Sequence, residues 1–404
     1  MRNKGTYAVT PALPGQVVLV LQGGGALGAY QVGVYEALHE AGIEPDWVIG
    51  TSIGAINAAI IAGNKPQDRV TRLCELWACF QQPPQLQALQ YFSTYVRGIP
   101  GFFSPRMPAW GVWQANVGLD AASYYTTDPL RETLASLIDL DVLNHARPRL
   151  TVGAVNVKSG ELRYFDSRDG ALGLEEVMAS GALPPGFPAI RVQGQAFWDG
   201  GLYSNTPLEA VLDDNPRRDS VIFSVTVWQP TGHEPESIWQ VMAREKDIRY
   251  ATRDDSHIAR QRQIHRLRHV IRELEKELSS ERRHSPKCRE LASWGCGTTM
   301  HVVRLLAPAL DGEDYMKDID FSAAGIRFRR EAGYADARRM IERAPWNARV
   351  DPMEGVVVHE LSARTAAAGG LPACMTAARI DDAPRPWPAM PPPGARAKFT
   401  KTGR

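Results

Sequence analysis

The stretch that most constrains the fold is QVVLVLQGGGALG, residues 16–28. Its first seven residues, apolar and largely β-branched between two glutamines, run without polar alternation into three consecutive glycines. Such a run predicts a strand buried on both faces, the habit of parallel sheets covered by helices. After Gly28, Tyr30, Val34, Leu38 and Ile43 fall on or near one helical stripe, with Gly42 placed as a stop. A second short strand, WVIG, follows Asp46, and a second helix opens after Ser52 with AINAAIIAG. This alternation predicts an α/β fold: a mostly parallel central sheet flanked by helices and joined by right-handed crossovers.

Further along, residues 81–125 are rich in Pro, Gln and aromatics and break the pattern, which reads as an insertion over the mouth of a site. Asp128-Pro129 starts a helix, since Asp can cap and Pro suits the first turn. Strands are expected at 150–158 and 161–165 across a Ser159-Gly160 turn, a helix near 173–180, and a short strand at 189–192 leading into AFWDGG. Thr206-Pro207-Leu208-Glu209 reads as a capping box opening another helix. SVIFSVTVW, 220–228, is taken as the domain's last strand. Residues 234–283 read as one or two long helices, with Ile264, Leu267, Ile271, Leu274 and Leu278 at heptad-like spacing. That stripe suits either a coiled-coil seam or a face packed on the main domain, and its basic flanks suit either solvent or an anionic surface. A strand at 300–306 and a helix over 322–343 close the folded part. The expected division is an arm at 1–15, an α/β domain at 16–228, a mainly helical extension at 229–345, and a Pro-rich, partly disordered tail at 346–404.

A formal net charge of +1 gives no global electrostatic signature for nucleic acid. Five scattered cysteines suggest reduced thiols rather than a disulfide framework, and those near His284 and His301 match no standard zinc spacing. No metal and no cofactor are expected. The short apolar run before the glycines begins a strand, not a secretory signal, and no other run is long enough to cross a bilayer. A cytoplasmic protein is expected, with room for peripheral contact at a membrane or lipid surface.

By spacing alone, Gly23, Gly25 and Gly28 satisfy G-x-G-x-x-G, a dinucleotide fingerprint. That reading needs an acidic residue at the far end of the second strand, yet Asp46 precedes the strand and a serine turn occupies its end. The turn, Gly50-Thr51-Ser52-Ile53-Gly54, is a G-x-S-x-G between a strand and a helix, where a nucleophile elbow would present Ser52. Both loops then open at the carboxyl end of the sheet. The N–H groups of the Gly23, Gly24, Gly25 and Ala26 loop become candidate donors to an ester oxyanion. For the base, no histidine is singled out; His39 lies on an exposed helix end. Asp199 in Trp198-Asp199-Gly200-Gly201 is the stronger candidate, although Asp-Gly also favours a simple hairpin turn, and position alone leaves both readings open.

Taken together, GGGALG at 23–28, GTSIG at 50–54 and DGG at 199–201, in that order, resemble the signatures of the patatin-like phospholipase family. MASGALPPGFPAI at 178–190 and YSNTPL at 203–208 resemble the segments around the family's aspartate. The resemblance covers about residues 16–228. It implies a lipid or other acyl-ester substrate and a Ser52/Asp199 dyad without histidine. Gly23–Ala26 would form the oxyanion loop, and Gly28, Gly50, Gly54, Gly200 and Gly201 would support it. Leu27 stands where plant-type members carry Arg, which weakens the case for phospholipid more than that for an ester. An acyltransferase using the same acyl-enzyme, or a noncatalytic scaffold acting through the C-terminal helices, are the competing readings. The aromatic segment 91–113 reads either as an apolar lid or as a packed loop.

Overall fold

A computed structural model of the chain describes residues 13–83, 94–106, 116–251, 253–310, 313 and 315–361. Strand β1 (Gln16–Leu21) sits inside a nine-stranded sheet. The other strands are β2 (Trp47–Gly50), β3 (Arg149–Asn156), β4 (Leu162–Asp166), β5 (Ile190–Val192), β6 (Gln195–Asp199), β7 (Ser220–Thr226), β8 (Met300–Leu306) and β9 (Val356–Glu360). Their order is β9-β8-β7-β1-β2-β3-β6-β5, with β4 also on β3. All pairings from β9 to β3 are parallel, while β4, β5 and β6 are antiparallel additions. Val18 and Val20 pack with Ile49, Ile222, Val302 and Ile258 on one face, and Leu19 and Leu21 are buried on the other. The unalternating apolar run thus serves a two-sided core.

The helices that flank the sheet or line its open end are α1 (Ala29–Glu40), α2 (Ile53–Ala62), α3 (Pro66–Phe80), α4 (Asp128–Leu137), α5 (Leu174–Ser180), α6 (Ile238–Ala251), α7 (Arg253–Glu277) and α8 (Ala323–Arg343). The mostly parallel sheet and its flanking helices match the expected fold class, and most of the C-terminal region is helical.

The pairing of β3 places two distant segments side by side. It pairs with β2 over residues 149–152, with β4 over 151–155 and with β6 over 154–156. A strand has two edges, so β4, which overlaps both of the others, takes one edge alone. Strands β2 and β6 therefore lie end to end along the other edge. Gly50 pairs with Val152 and Asp199 with Ala154, two residues further along the same strand. That is about 7 Å at the usual rise of a strand.

Four expectations need correction. The sheet does not end at 220–228: β7 is buried throughout, and its far edge is taken by β8 and then β9, in parallel register. Ordered structure runs past 345 to β9, inside the stretch read as tail; residues 362–404 lie outside those described. The capping box at Thr206 does not form. The nearby helical turn is Glu209–Leu212, and the Thr206 hydroxyl instead accepts from Gln22 Nε2 at 2.7 Å. Finally, α7 packs through Ile258, Gln261, His265 and His269, leaving Leu267 and Leu274 of the apolar stripe exposed. Hydrogen bonds favour that face: His265 bonds the carbonyl of Leu212, and His269 those of Pro352 and Thr298.

Candidate active site

Ser52 stands at the turn between β2 and α2 with φ 56° and ψ −127°, a strained backbone for a residue with a side chain, costing roughly 1–3 kcal/mol. The surroundings hold it there. Its N–H lies 3.1 Å from the Ser180 carbonyl and 3.2 Å from the Ser180 hydroxyl, both acceptors at the buried end of α5. The flanking glycines are steric requirements of the turn. A Cβ on Gly50 would collide with the backbone of Gly54, and one on Gly54 with the Leu21 carbonyl. Gly28 similarly lets the start of α1 lie against Ile53, whose Cγ1 would be 2.8 Å from an added Cβ.

Asp199, the last residue of β6, is 1% exposed. It does not make a hairpin: that turn is at Gln193-Gly194, both with positive φ, between β5 and β6. Instead Gly200–Leu202 form a single 3-10 turn, and Gly201 N–H donates to Asp199 Oδ1 at 2.7 Å. Gly200 lies so close to the Gly153 carbonyl that no side chain fits. Asp199 Oδ2 is buried and has no hydrogen-bond partner among the described residues. Burial pushes this carboxyl up to about 7, against the opposing pull of the Gly201 N–H and of the nearby Ser52 hydroxyl, which faces the carboxyl without closing a hydrogen bond to Oδ2. A buried carboxylate with one open oxygen beside a serine is equipped to accept a proton near neutral pH.

The glycine loop follows β1. Gly23 is fully engaged: its N–H donates to the Asn205 carbonyl at 3.1 Å, and its carbonyl accepts from Asn205 Nδ2 at 3.0 Å and Trp228 Nε1 at 2.8 Å. The expectation that Gly23 donates to an oxyanion is therefore corrected: it is a clamped wall, too near Ser52 Cβ to carry a side chain. The N–H groups of Gly24, Gly25 and Ala26 open the 3-10 turn Gly25–Gly28 and make no hydrogen bond among the described residues. Unpaired N–H groups at a helical start attract negative charge. Gly25 has φ +55° and touches the Asp318 carbonyl, so glycine is required twice over.

Beneath the loop runs a buried polar network that sequence reasoning missed. Gln22, wholly buried, receives the N–H groups of Val227 and Trp228 on Oε1 and donates through Nε2 to Thr206 and the Tyr250 carbonyl. Gln31 Nε2 donates to the Gln22 carbonyl at 2.6 Å, Asn57 Nδ2 to Gln31 Oε1 at 2.9 Å, and Trp77 Nε1 to Asn57 Oδ1 at 3.0 Å. Fully paired networks of this kind fix geometry, because any slippage leaves a buried polar group unpaired.

Ser52, Asp199, Gly24 and Gly25 all open into one cavity of about 310 Å³. Its walls are mainly apolar. Ile53 and Ile56 come from α2, Phe102 and Phe103 from the insertion, and Phe187 and Leu183 from the segment before β5. Phe102 and Phe103 belong to an aromatic stack with Phe80, Phe187 and Phe321. The insertion thus contributes packed walls at 94–106; residues 91–93 and 107–113 of the suggested lid lie outside those described. The C-terminal region supplies Lys246, Tyr250, Met316, Asp318 and Phe321, for which sequence alone gave no signal. Leu27 is buried away from the cavity, and among the described residues that line it the one cation is Lys246, bonded to Asp318 at 2.7 Å. Cys296 and His301 turn to Thr298 and His359, and among the described residues no three His, Cys, Asp or Glu gather to hold a metal.

Comparison with known proteins adds two family matches. The model described as patatin-like phospholipase matches residues 19–212, and another, described as patatin phospholipase, matches residues 248–353. Among curated proteins, lysophospholipase nte1 of Aspergillus terreus is 63% identical over 46 residues, 11% of this chain and 3% of that protein. Patatin-like phospholipase domain-containing protein 6 of Homo sapiens is 44% identical over 62 residues, 15% of this chain and 4% of that protein. The alignments thus span only a small fraction of these much longer relatives. Among solved structures, VipD from Legionella pneumophila aligns over 82% of this chain and 67% of its own, at 15% identity and a TM-score of 0.35.

Proposed function

The chain belongs to the patatin-like phospholipase family, and on that premise we propose that it is a serine-dependent hydrolase of lipid acyl esters, working through Ser52, Asp199 and an acyl-enzyme. As Ser52 Oγ attacks the acyl carbonyl, Asp199 Oδ2 takes the hydroxyl proton. The carbonyl oxygen, now negative, meets the N–H groups of Gly24, Gly25 and Ala26; each such donor is worth about 2.7–4 kcal/mol in the transition state. Asp199 returns the proton to the leaving alcohol. It then removes one from water, which attacks the acyl-enzyme and frees the acid.

One observation carries this reading: the buried, unpartnered Oδ2 of Asp199 beside a serine held at positive φ. A noncatalytic scaffold has no use for either, since each costs stability. The apolar cavity walls and the near absence of unpaired charge support a long or medium acyl chain over a charged small molecule.

The decisive measurement is labelling by a fluorophosphonate probe together with turnover of p-nitrophenyl acyl esters and a lipid panel. Wild type should label and turn over. Ser52→Ala should lose both, and Asp199→Ala should lose turnover while keeping its thermal transition. Near-wild-type turnover by either variant refutes the dyad. Acyl glycerol formed in preference to free acid when glycerol is added would make the enzyme a transferase.

A further inference from the structure

One stripe of α6 joins the inside of the cavity to open solvent. Residues 239, 242, 246 and 250 follow one another at three- and four-residue steps and share a helix face. At the inner end, Tyr250 lines the same cavity as Asp199; burial, and after it the Asp199 carboxylate, raise its hydroxyl pKa. Next comes Lys246 in the wall, donating to the Tyr315 carbonyl at 2.8 Å. Beyond it the stripe leaves the protein: residues 231–242 are exposed throughout, with Ile238 at 70% and Trp239 at 55%, and Val241 and Met242 beside them. The Trp239 ring stacks on Tyr315 at 4.7 Å between centroids. Across from it, half-exposed Tyr95 reaches Met316 with its hydroxyl, and both line the cavity.

We infer that the exposed first turn of α6, with the tyrosines at the cavity rim, is a docking face for an uncharged or zwitterionic lipid surface. This inference deepens the lipid-hydrolase reading and rests on it. Three observations select the occupant. The patch is continuous with the cavity mouth, so an apolar acyl chain could pass from lipid to Ser52 without crossing water. Its rings are Trp and Tyr, whose apolar bodies and polar tips suit the boundary between acyl chains and head groups. The charges near the turn, among the described residues, give an anionic surface no free cation to meet: Glu234 and Glu236 precede it, Arg249 is paired with Glu245, and the Arg244 guanidinium turns inward to the carbonyls of Gln229 and Pro230.

The test separates docking from catalysis. Partition onto phosphatidylcholine vesicles is measured on full-length Ser52→Ala, with and without Ile238→Ser/Trp239→Ala, while turnover of a monomeric soluble ester is measured on the same pair in the wild-type background. The docking face predicts that the double substitution lowers vesicle partition roughly tenfold or more, since each buried side chain contributes over a decade of affinity. It also predicts unchanged soluble-ester turnover and the same vesicle loss in Val241→Glu. Adding phosphatidylserine should not raise binding, and salt should not abolish it. No binding by the parent chain, undiminished binding by the variants, or binding that requires anionic lipid and disappears in salt overturns the inference. So does a change of oligomeric state without a vesicle effect, which would make the face a contact between copies. Failure of soluble-ester turnover in the parent wild type would instead strike the catalytic reading.

Discussion

The chemistry at Asp199 is set by what surrounds one carboxyl group. Raised from 3.8 to about 7 by burial, it keeps a proton in the folded chain through a window where the unfolded chain has lost it. The folded state binds more protons there, so this group removes stability as pH rises from about 4 to about 7, and the deficit persists above that. At about 1.4 kcal/mol for each tenfold change in proton affinity, the deficit has a ceiling of about 4 kcal/mol. Asp199→Asn should therefore abolish ester turnover yet stabilise the protein by about 2–4 kcal/mol at pH 8, with no gain at pH 4, as read from urea unfolding of both proteins. An Asn variant less stable than wild type at pH 8 would mean that the carboxyl is not held at an energetic cost. The same group predicts the pH profile: kcat/KM of the wild type should fall with a slope of one proton below about pH 7.

At the scale of elements, the most consequential contact joins helices about three hundred residues apart in sequence. α1, which carries the glycine loop at its start, crosses α8 at Gly33 and Gly333; a Cβ on Gly33 would strike the Arg330 carbonyl, and one on Gly333 the Tyr30 carbonyl. Bonds on both sides of the crossing fix its angle: Arg330 to Glu36 at 2.8 Å, Tyr334 to Glu40 at 2.7 Å and Tyr30 to Asp336 at 2.9 Å. Gly33→Ala and Gly333→Ala should each cost about 2–3 kcal/mol and lower turnover by displacing the loop. Because either one separates the same pair of helices, the double variant should cost less than the sum, which thermal or urea unfolding of the three proteins would read. Neither glycine was legible as a site feature, for the reason that both answer to a partner at long range. The elbow was legible because Gly50, Ser52 and Gly54 constrain one another within five residues. The juxtaposition of Ser52 and Asp199 depends instead on two strands sharing one edge of β3, and no local spacing encodes that. The same limit applies to α7, where polar His265 and His269 displaced the apolar stripe from the interface by finding carbonyl partners.

For the whole molecule, the strands within the two family matches, β1 to β6 at 19–212 and β8 at 248–353, belong to one sheet, joined through β7. β8 and β9 complete the edge of β7, α8 covers α1, and Met316, Asp318, Ile319 and Phe321 line the cavity. We propose that these segments fold as one cooperative unit rather than as a catalytic domain with an appendage. Met300, Val302, Val303, Leu305, Phe321, Ile326, Met340 and Trp346 are all buried. At about 1.5 kcal/mol each, their burial amounts to roughly 12 kcal/mol, comparable to the whole net stability of a typical domain at about 5–15 kcal/mol. A chain ended after residue 230 would forfeit that burial and leave β7, which carries Ile222, Phe223 and Val225, as an unpaired apolar edge prone to aggregation. Such a fragment should be insoluble or unfolded and should lack ester turnover, whereas the full chain should unfold in one transition seen alike by tryptophan fluorescence and far-ultraviolet circular dichroism. A soluble, active fragment, or two separated transitions in the full chain, would return the C-terminal region to the status of an independent domain.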